Sequence, residues 1–236
     1  MHAPEIVVAD LPELTEAFAA RVERAAEAAI TARGRFAFVI PGGSAAEKLL
    51  PRLSRSRVDW PRTGVFYSDE RFVSRTDPDS SSSASMRLLF NGLGAHGPRV
   101  HPMVETTVDA DATATRYEEL LVRTLGAEPV LDLVLLGIGE DGHVASLFPG
   151  RPSLEATDRA VIVERESPKP PPTRLTLSLP ILARAREVVI AAFGAGKADV
   201  LHDVIHEPTC TLPAARLLRS AARVTFLLDP AAAARL

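Results

Sequence analysis

Short apolar runs punctuate the chain, each stopping at proline, glycine, serine or an acidic residue, with amphipathic stretches between them. Phe36–Ile40, Val65–Tyr67, Val130–Leu136 (broken only by Asp132), Val188–Phe193 and Val224–Leu228 are such runs. Runs this short, without polar alternation, suit strands buried on both faces of a parallel sheet. Ala160–Val163 and the alternating Arg174–Leu179 predict two further strands. Between the runs the spacing is helical. Leu14, Phe18, Val22, Ala25 and Ala29 share one helix face. Asp10 is placed to cap that helix, Pro12, Glu13 and Glu16 suit its start, and Gly34 ends it after Arg33. Further helices are predicted over about Ala45–Leu53, near Met86–Phe90, over Asp109–Leu125, and from Gly194-Ala195-Gly196-Lys197 to about His206. A short terminal helix would be capped by Asp229, and a polar loop with the serine run Ser80–Ser83 would precede Met86. Ser167–Pro172 reads as a stiff extended loop.

Strands alternating with helices predict an α/β fold: a single doubly wound, mostly parallel sheet with helices on both faces, Rossmann-like. No internal repeat or composition break marks a linker, and strands lie on both sides of Pro168–Pro172. The expectation is one domain over residues 1–236. Hydrophobic residues make up 46% and charged residues 24%, enough core to exclude disorder. A net charge of -3 argues against a general nucleic-acid binder. The lone Cys210 excludes an internal disulfide and is read as packing. With no basic leader followed by a long apolar stretch, and no run near membrane-spanning length, the expectation is a soluble, cytoplasmic protein, monomeric or a small homo-oligomer.

The chemistry gathers where predicted strands end. After Leu136 the chain reads G-I-G-E-D-G-H-V-A-S-L-F-P-G. Gly137, Gly139 and Gly142 shape a loop at the carboxyl end of a strand, where open α/β sheets bind ligands. Asp141 and His143, an acid and an imidazole two residues apart, suit general base chemistry, because a neutral imidazole can take a proton from water. His2, His96, His101, His202 and His206 have no comparable setting; His202 and His206 are four apart but lack the glutamate of H-E-x-x-H.

Gly42, Gly43 and Ser44 lie between a strand and a helix, where amides can hold a phosphate and Ser44 can cap and donate; a plain capped turn would look the same. Lys197 opens a helix, where a lysine opposes the helix dipole and an anionic ligand would relieve the repulsion. Asp69 and Arg71 in S-D-E-R follow a strand: Asp69 can accept from sugar hydroxyls and Arg71 can stabilise charge, although a salt-bridged surface loop is the alternative. Lys169 and Arg174 flank the prolines as cations on a rigid loop, or as simple solubilising charge.

The segment G-x-G-x-D-G-H-x-A-S-L-F-P-G resembles the signature of the 6-phosphogluconolactonases, hydrolases of the oxidative pentose phosphate pathway. S-D-E-R at Ser68–Arg71, S-P-K-P-P-P-T-R from Ser167, the Gly194–Lys197 segment and L-P-A-A-R-L-L-R from Leu212 are similar to further segments of that family, in the same order. The resemblance implies hydrolysis of 6-phospho-D-glucono-1,5-lactone without metal or organic cofactor. It implies His143 as base, with Asp141 beside it and Arg71 at the developing oxyanion. It implies Gly42, Gly43, Ser44, Asp69, Lys169, Arg174 and Lys197 as substrate contacts. Ser81 departs from the pattern, since many members carry Asn there. A glucosamine-6-phosphate deaminase would call for A-F-N-E-P-G after the D-G-H step, where this chain has A-S-L-F-P-G. A sugar-phosphate sensing module of a transcription regulator would need a DNA-binding segment and would have no use for His143.

Overall fold

A computed structural model describes residues 3–236 of the chain. Helix α1 (Leu11–Arg33) forms as its sequence signals require: Asp10 accepts a hydrogen bond from the Glu13 amide at 3.0 Å, and Gly34, at φ 75°, closes the helix on the Ile30 carbonyl. Its buried stripe is Leu14, Phe18, Ala19, Val22, Ala26 and Ala29; Ala26 takes the core position expected for Ala25, which is only half-buried. Burial of each large member, such as Phe18, contributes roughly 1.5–3 kcal/mol.

The apolar runs assemble as one seven-stranded sheet, in the order β1 (Glu5–Val8), β10 (Val224–Leu228), β9 (Val188–Ala192), β6 (Leu133–Gly137), β2 (Phe36–Ile40), β3 (Thr63–Tyr67), β5 (Arg99–Val100). Every pairing is parallel. All five residues of β2, β9 and β10 are buried, and successive side chains point to opposite faces, so both faces of the sheet are covered. Edge strands β1, a short and mostly exposed Ile6-Val7-Val8 run, and β5, of two residues, are not among the expected strands.

The strands at Ala160 and Arg174 do not join this sheet. As β7 (Val161–Glu164) and β8 (Arg174–Leu177) they pair antiparallel with each other and with β4 (Asp69–Arg71), forming a second, three-stranded sheet. Helix α4 (Ala110–Leu125), capped by Asp109, packs against β7 and β8. Other helices are α2 (Gly43–Leu49), α3 (Ser81–Leu88), α5 (Leu179–Ala183), α6 (Ala198–His206) and α7 (Pro213–Ser220).

Further expectations need correction. The helix expected from Ala45 begins at Gly43 and becomes a 3-10 helix from Leu50. The serine run is not a loop: Ser80 caps α3, and Ser81 and Ser82 form its first turn. The cause is the buried Glu70, whose carboxylate accepts from the amides of Ser81 (2.7 Å) and Ser82 (2.8 Å), satisfying donors that a helix start leaves open. Asp229 caps hydrogen-bonded turns rather than a helix, accepting from the Ala232 amide at 2.8 Å. No helix among the described residues is long and apolar enough to cross a membrane.

Candidate active site

The chain runs from β2 outward through β3 to β5, then returns to the other side of β2 as β6 and continues outward through β9 and β10. The winding therefore reverses between β2 and β6, and the loops leaving their carboxyl ends diverge there, which opens a crevice. A cleft of about 360 Å3 lies at this point. Gly42, Gly43, Ser44, Asp69, Arg71, His143, Lys169, Arg174 and Lys197 all line it. Asp141 does not; it stands behind His143.

The β6 loop builds the acid–imidazole pair. The His143 carbonyl accepts from the Gly139 amide (2.9 Å), and Gly142 adopts φ 78°, a conformation that favours glycine. Gly139 is needed for space: a Cβ there would overlap both the Asp141 carboxylate and the His143 ring. A Cβ at Gly142 would lie 2.8 Å from Leu212, and the Gly142 carbonyl accepts from the Ala214 amide (3.1 Å), so the start of α7 buttresses the loop. Asp141 Oδ1 lies 2.5 Å from His143 Nδ1. A carboxylate there selects the tautomer with the proton on Nδ1 and leaves the lone pair on Nε2. Phe148 packs beneath the ring, with centroids 4.6 Å apart. Burial pushes the His143 pKa below the ordinary imidazole value and outweighs the opposing pull of Asp141. The shift favours the neutral ring, whose Nε2 lone pair is then free to take a proton. Burial alone would raise the Asp141 pKa, but the neighbouring ring holds it below the usual carboxylate range. Ala145, two residues on, has φ 51°, a left-handed conformation that is uncommon and strained for a residue with a side chain.

The small sheet supplies the opposite wall. Its register sets Arg71 directly across from Arg174. Like charges facing each other across strands repel, and an anion between them would remove the repulsion. Arg71 Nη1 donates to the Asp79 carbonyl (2.7 Å). Arg174 is 4% exposed; its Nη2 donates to the carbonyls of Lys169 (2.9 Å) and Pro170 (3.3 Å). It therefore ties down the proline loop as well as lining the cleft. Burial, with Arg71 adding to it against the pull of Asp69, lowers the Arg174 pKa. Asp69 accepts from Ser68 Oγ (2.9 Å) and Ser146 Oγ (2.6 Å), which fixes its carboxylate against the main sheet's loop.

Lys197 is presented by the β9 loop, where the Gly194 amide donates to the Asp229 carboxylate at 3.0 Å. It precedes α6 at the end of a 3-10 helix rather than opening the α-helix itself. Burial depresses its pKa; Glu140 opposes that and Lys169 reinforces it. Among the described residues, neither Lys169 nor Lys197 has a carboxylate within ion-pair distance, so four cations face a cleft with Asp69 as its one lining carboxylate. On the β2 side the helix cap is Gly42, not Ser44, and among the described residues no side chain caps α2. Gly43 holds φ 67° there, which favours glycine.

Sequence reasoning passed over Ser146, Phe148, Glu70 and the Leu212 buttress. Their positions depend on contacts between distant segments, which no local spacing encodes. Of the other histidines, His2 lies outside the described residues, His101 stacks on Phe66 at 4.7 Å, and His202 and His206 stand 5.4 Å apart on α6. Among the described residues no group of three or more His, Cys, Asp or Glu is placed to hold a metal. Cys210 is half-buried against the core.

The family model of glucosamine-6-phosphate isomerases/6-phosphogluconolactonase matches residues 9–226. The 6-phosphogluconolactonase of Streptomyces coelicolor is 36% identical, over 99% of this chain and 95% of that protein. That of Mycobacterium tuberculosis is also 36% identical, over 94% of each. Among solved structures, the 6-phosphogluconolactonase of Trypanosoma brucei superposes with a TM-score of 0.87 at 30% identity, covering 100% of both chains. The chain belongs to the glucosamine-6-phosphate isomerase/6-phosphogluconolactonase family.

Proposed function

We propose that the chain hydrolyses 6-phospho-D-glucono-1,5-lactone to 6-phospho-D-gluconate, the lactonase step of the oxidative pentose phosphate pathway. The observation that carries this reading is the Asp141–His143 pair, 2.5 Å apart, at the edge of a cleft lined by four cations. A neutral buried imidazole suits water activation, and the cations suit a phosphate. The curated relatives bearing the lactonase name, similar over nearly the whole chain, support the same choice.

His143 Nε2 takes a proton from water as the water oxygen attacks the lactone C1. Arg71, with nearby amides, stabilises the oxyanion. The C1–O5 bond then breaks, and the imidazolium returns its proton to O5. The carboxylic acid product loses its proton to solvent. Asp141 holds the ring and stabilises the imidazolium while it exists. Gly42, Gly43, Ser44, Lys169, Arg174 and Lys197 hold the phosphate and place the ring, and Asp69 orients sugar hydroxyls. No metal is required, because a lactone is already an activated ester. The enzyme acts in the cytoplasm on this small phosphosugar, not on nucleic acid, as a monomer or small homo-oligomer.

The test is base uptake at constant pH with freshly generated lactone, after exhaustive chelation. Acid release well above the spontaneous rate is expected. No acceleration would refute the lactonase reading, and activity restored only by added Zn²⁺ or Mg²⁺ would reassign His143 and Asp141 as ligands.

A further inference from the structure

The buried hydroxyls at the start of α3 are not alike. Ser80 Oγ donates to Glu70 Oε2 (3.2 Å) and lies 3.1 Å from Ser82 Oγ. Ser85 Oγ donates to the Ser82 carbonyl (2.9 Å). Among the described residues, the buried Ser81 hydroxyl finds no hydrogen-bond partner. The residue is only 2% exposed, yet it lines the cleft. It is also held firmly. Its amide donates to Glu70 Oε1 (2.7 Å), and its side chain rests on Gly42, where an added Cβ would overlap Ser81 Oγ. A hydroxyl withdrawn from water and left unbonded destabilises the empty protein, and such groups in native structures call for an explanation.

We propose that the Ser81 hydroxyl is a substrate-binding group, which donates a hydrogen bond to an oxygen of the bound phosphosugar beside Gly42. The assignment rests on the phosphosugar reading of the cleft. The bond is absent from the empty protein and forms only in the complex. Ser81 therefore lowers stability without ligand and raises affinity with it, whereas a structural serine would raise stability and leave affinity alone.

Calorimetric titration with 6-phosphogluconate and thermal unfolding, on the wild type and Ser81→Ala, separate these cases. Ser81→Ala should weaken binding about tenfold, the scale of one hydrogen bond to ligand. Its ligand-free Tm should equal or exceed that of the wild type, and its ligand-induced Tm shift should be smaller. Unchanged affinity with a lowered ligand-free Tm would overturn the assignment while leaving the phosphosugar reading intact. A wild type that fails to bind 6-phosphogluconate would overturn both. If Ser81→Ala does not fold, Ser81→Cys, with a weaker donor in the same place, should bind more weakly than the wild type; equal binding would likewise overturn the assignment.

Discussion

At the level of single residues, the proposed mechanism turns on which form of His143 exists at working pH. Burial holds its pKa below the ordinary value, while Asp141 pulls the other way by favouring the protonated ring. Only the neutral ring can accept a proton, so kcat/KM should fall as pH drops through the His143 pKa. That acid limb should lie below about pH 6.5, the ordinary histidine value. Asp141→Asn removes the charge that favours protonation, so the limb should move to still lower pH. The same change loses the partner that fixes the tautomer, and kcat should fall roughly tenfold or more. A pH–rate profile of the variant reads both effects at once. A limb displaced to higher pH would show that Asp141 does not act on the ring through its charge.

At the scale of elements, the site depends on pieces that were legible to very different degrees. The apolar runs of β2, β6, β9 and β10 revealed themselves because a strand buried on both faces cannot afford polar alternation. Their carboxyl ends then located Gly42–Ser44, the His143 loop and Lys197. The wall carrying Arg71 and Arg174 was not legible as a wall. Whether β8 joins the main sheet or pairs antiparallel with β4 is decided by tertiary packing, and β4 has three residues. The Ser80–Ser83 run looked like a loop because serine favours turns; only the buried Glu70 carboxylate, eleven residues before Ser81, makes it a helix start. The cationic lining that results has a measurable consequence. If Lys197 grips the phosphate, Lys197→Ala should raise KM by the loss of a charge-assisted hydrogen bond, about 1.5–3 kcal/mol. The variant should also discriminate less between 6-phosphogluconate and gluconate than the wild type does. Equal wild-type affinity for the two acids in calorimetry would contradict a phosphate grip by these elements.

At the scale of the whole molecule, the topology explains why these residues meet. Asp69 and Arg71, His143, Lys169 and Arg174, and Lys197 come from four separated stretches of sequence. They converge because the sheet reverses its winding between β2 and β6 and the small sheet stands over the opening. The winding could be expected from the strand–helix alternation. The closing sheet could not, nor could α7, whose Leu212 and Ala214 brace the Gly142 turn from a position about seventy residues later. In the proposed mechanism this convergence places a neutral imidazole base beside a cationic phosphate grip, with the two roles separable. Turnover of freshly generated 6-phosphogluconolactone by a folded His143→Asn variant tests it most directly, with 6-phosphogluconate affinity measured on the same preparation. A loss of turnover of roughly 10²-fold or more is expected, with affinity largely retained. Turnover near that of the wild type would contradict it and remove His143 from the mechanism.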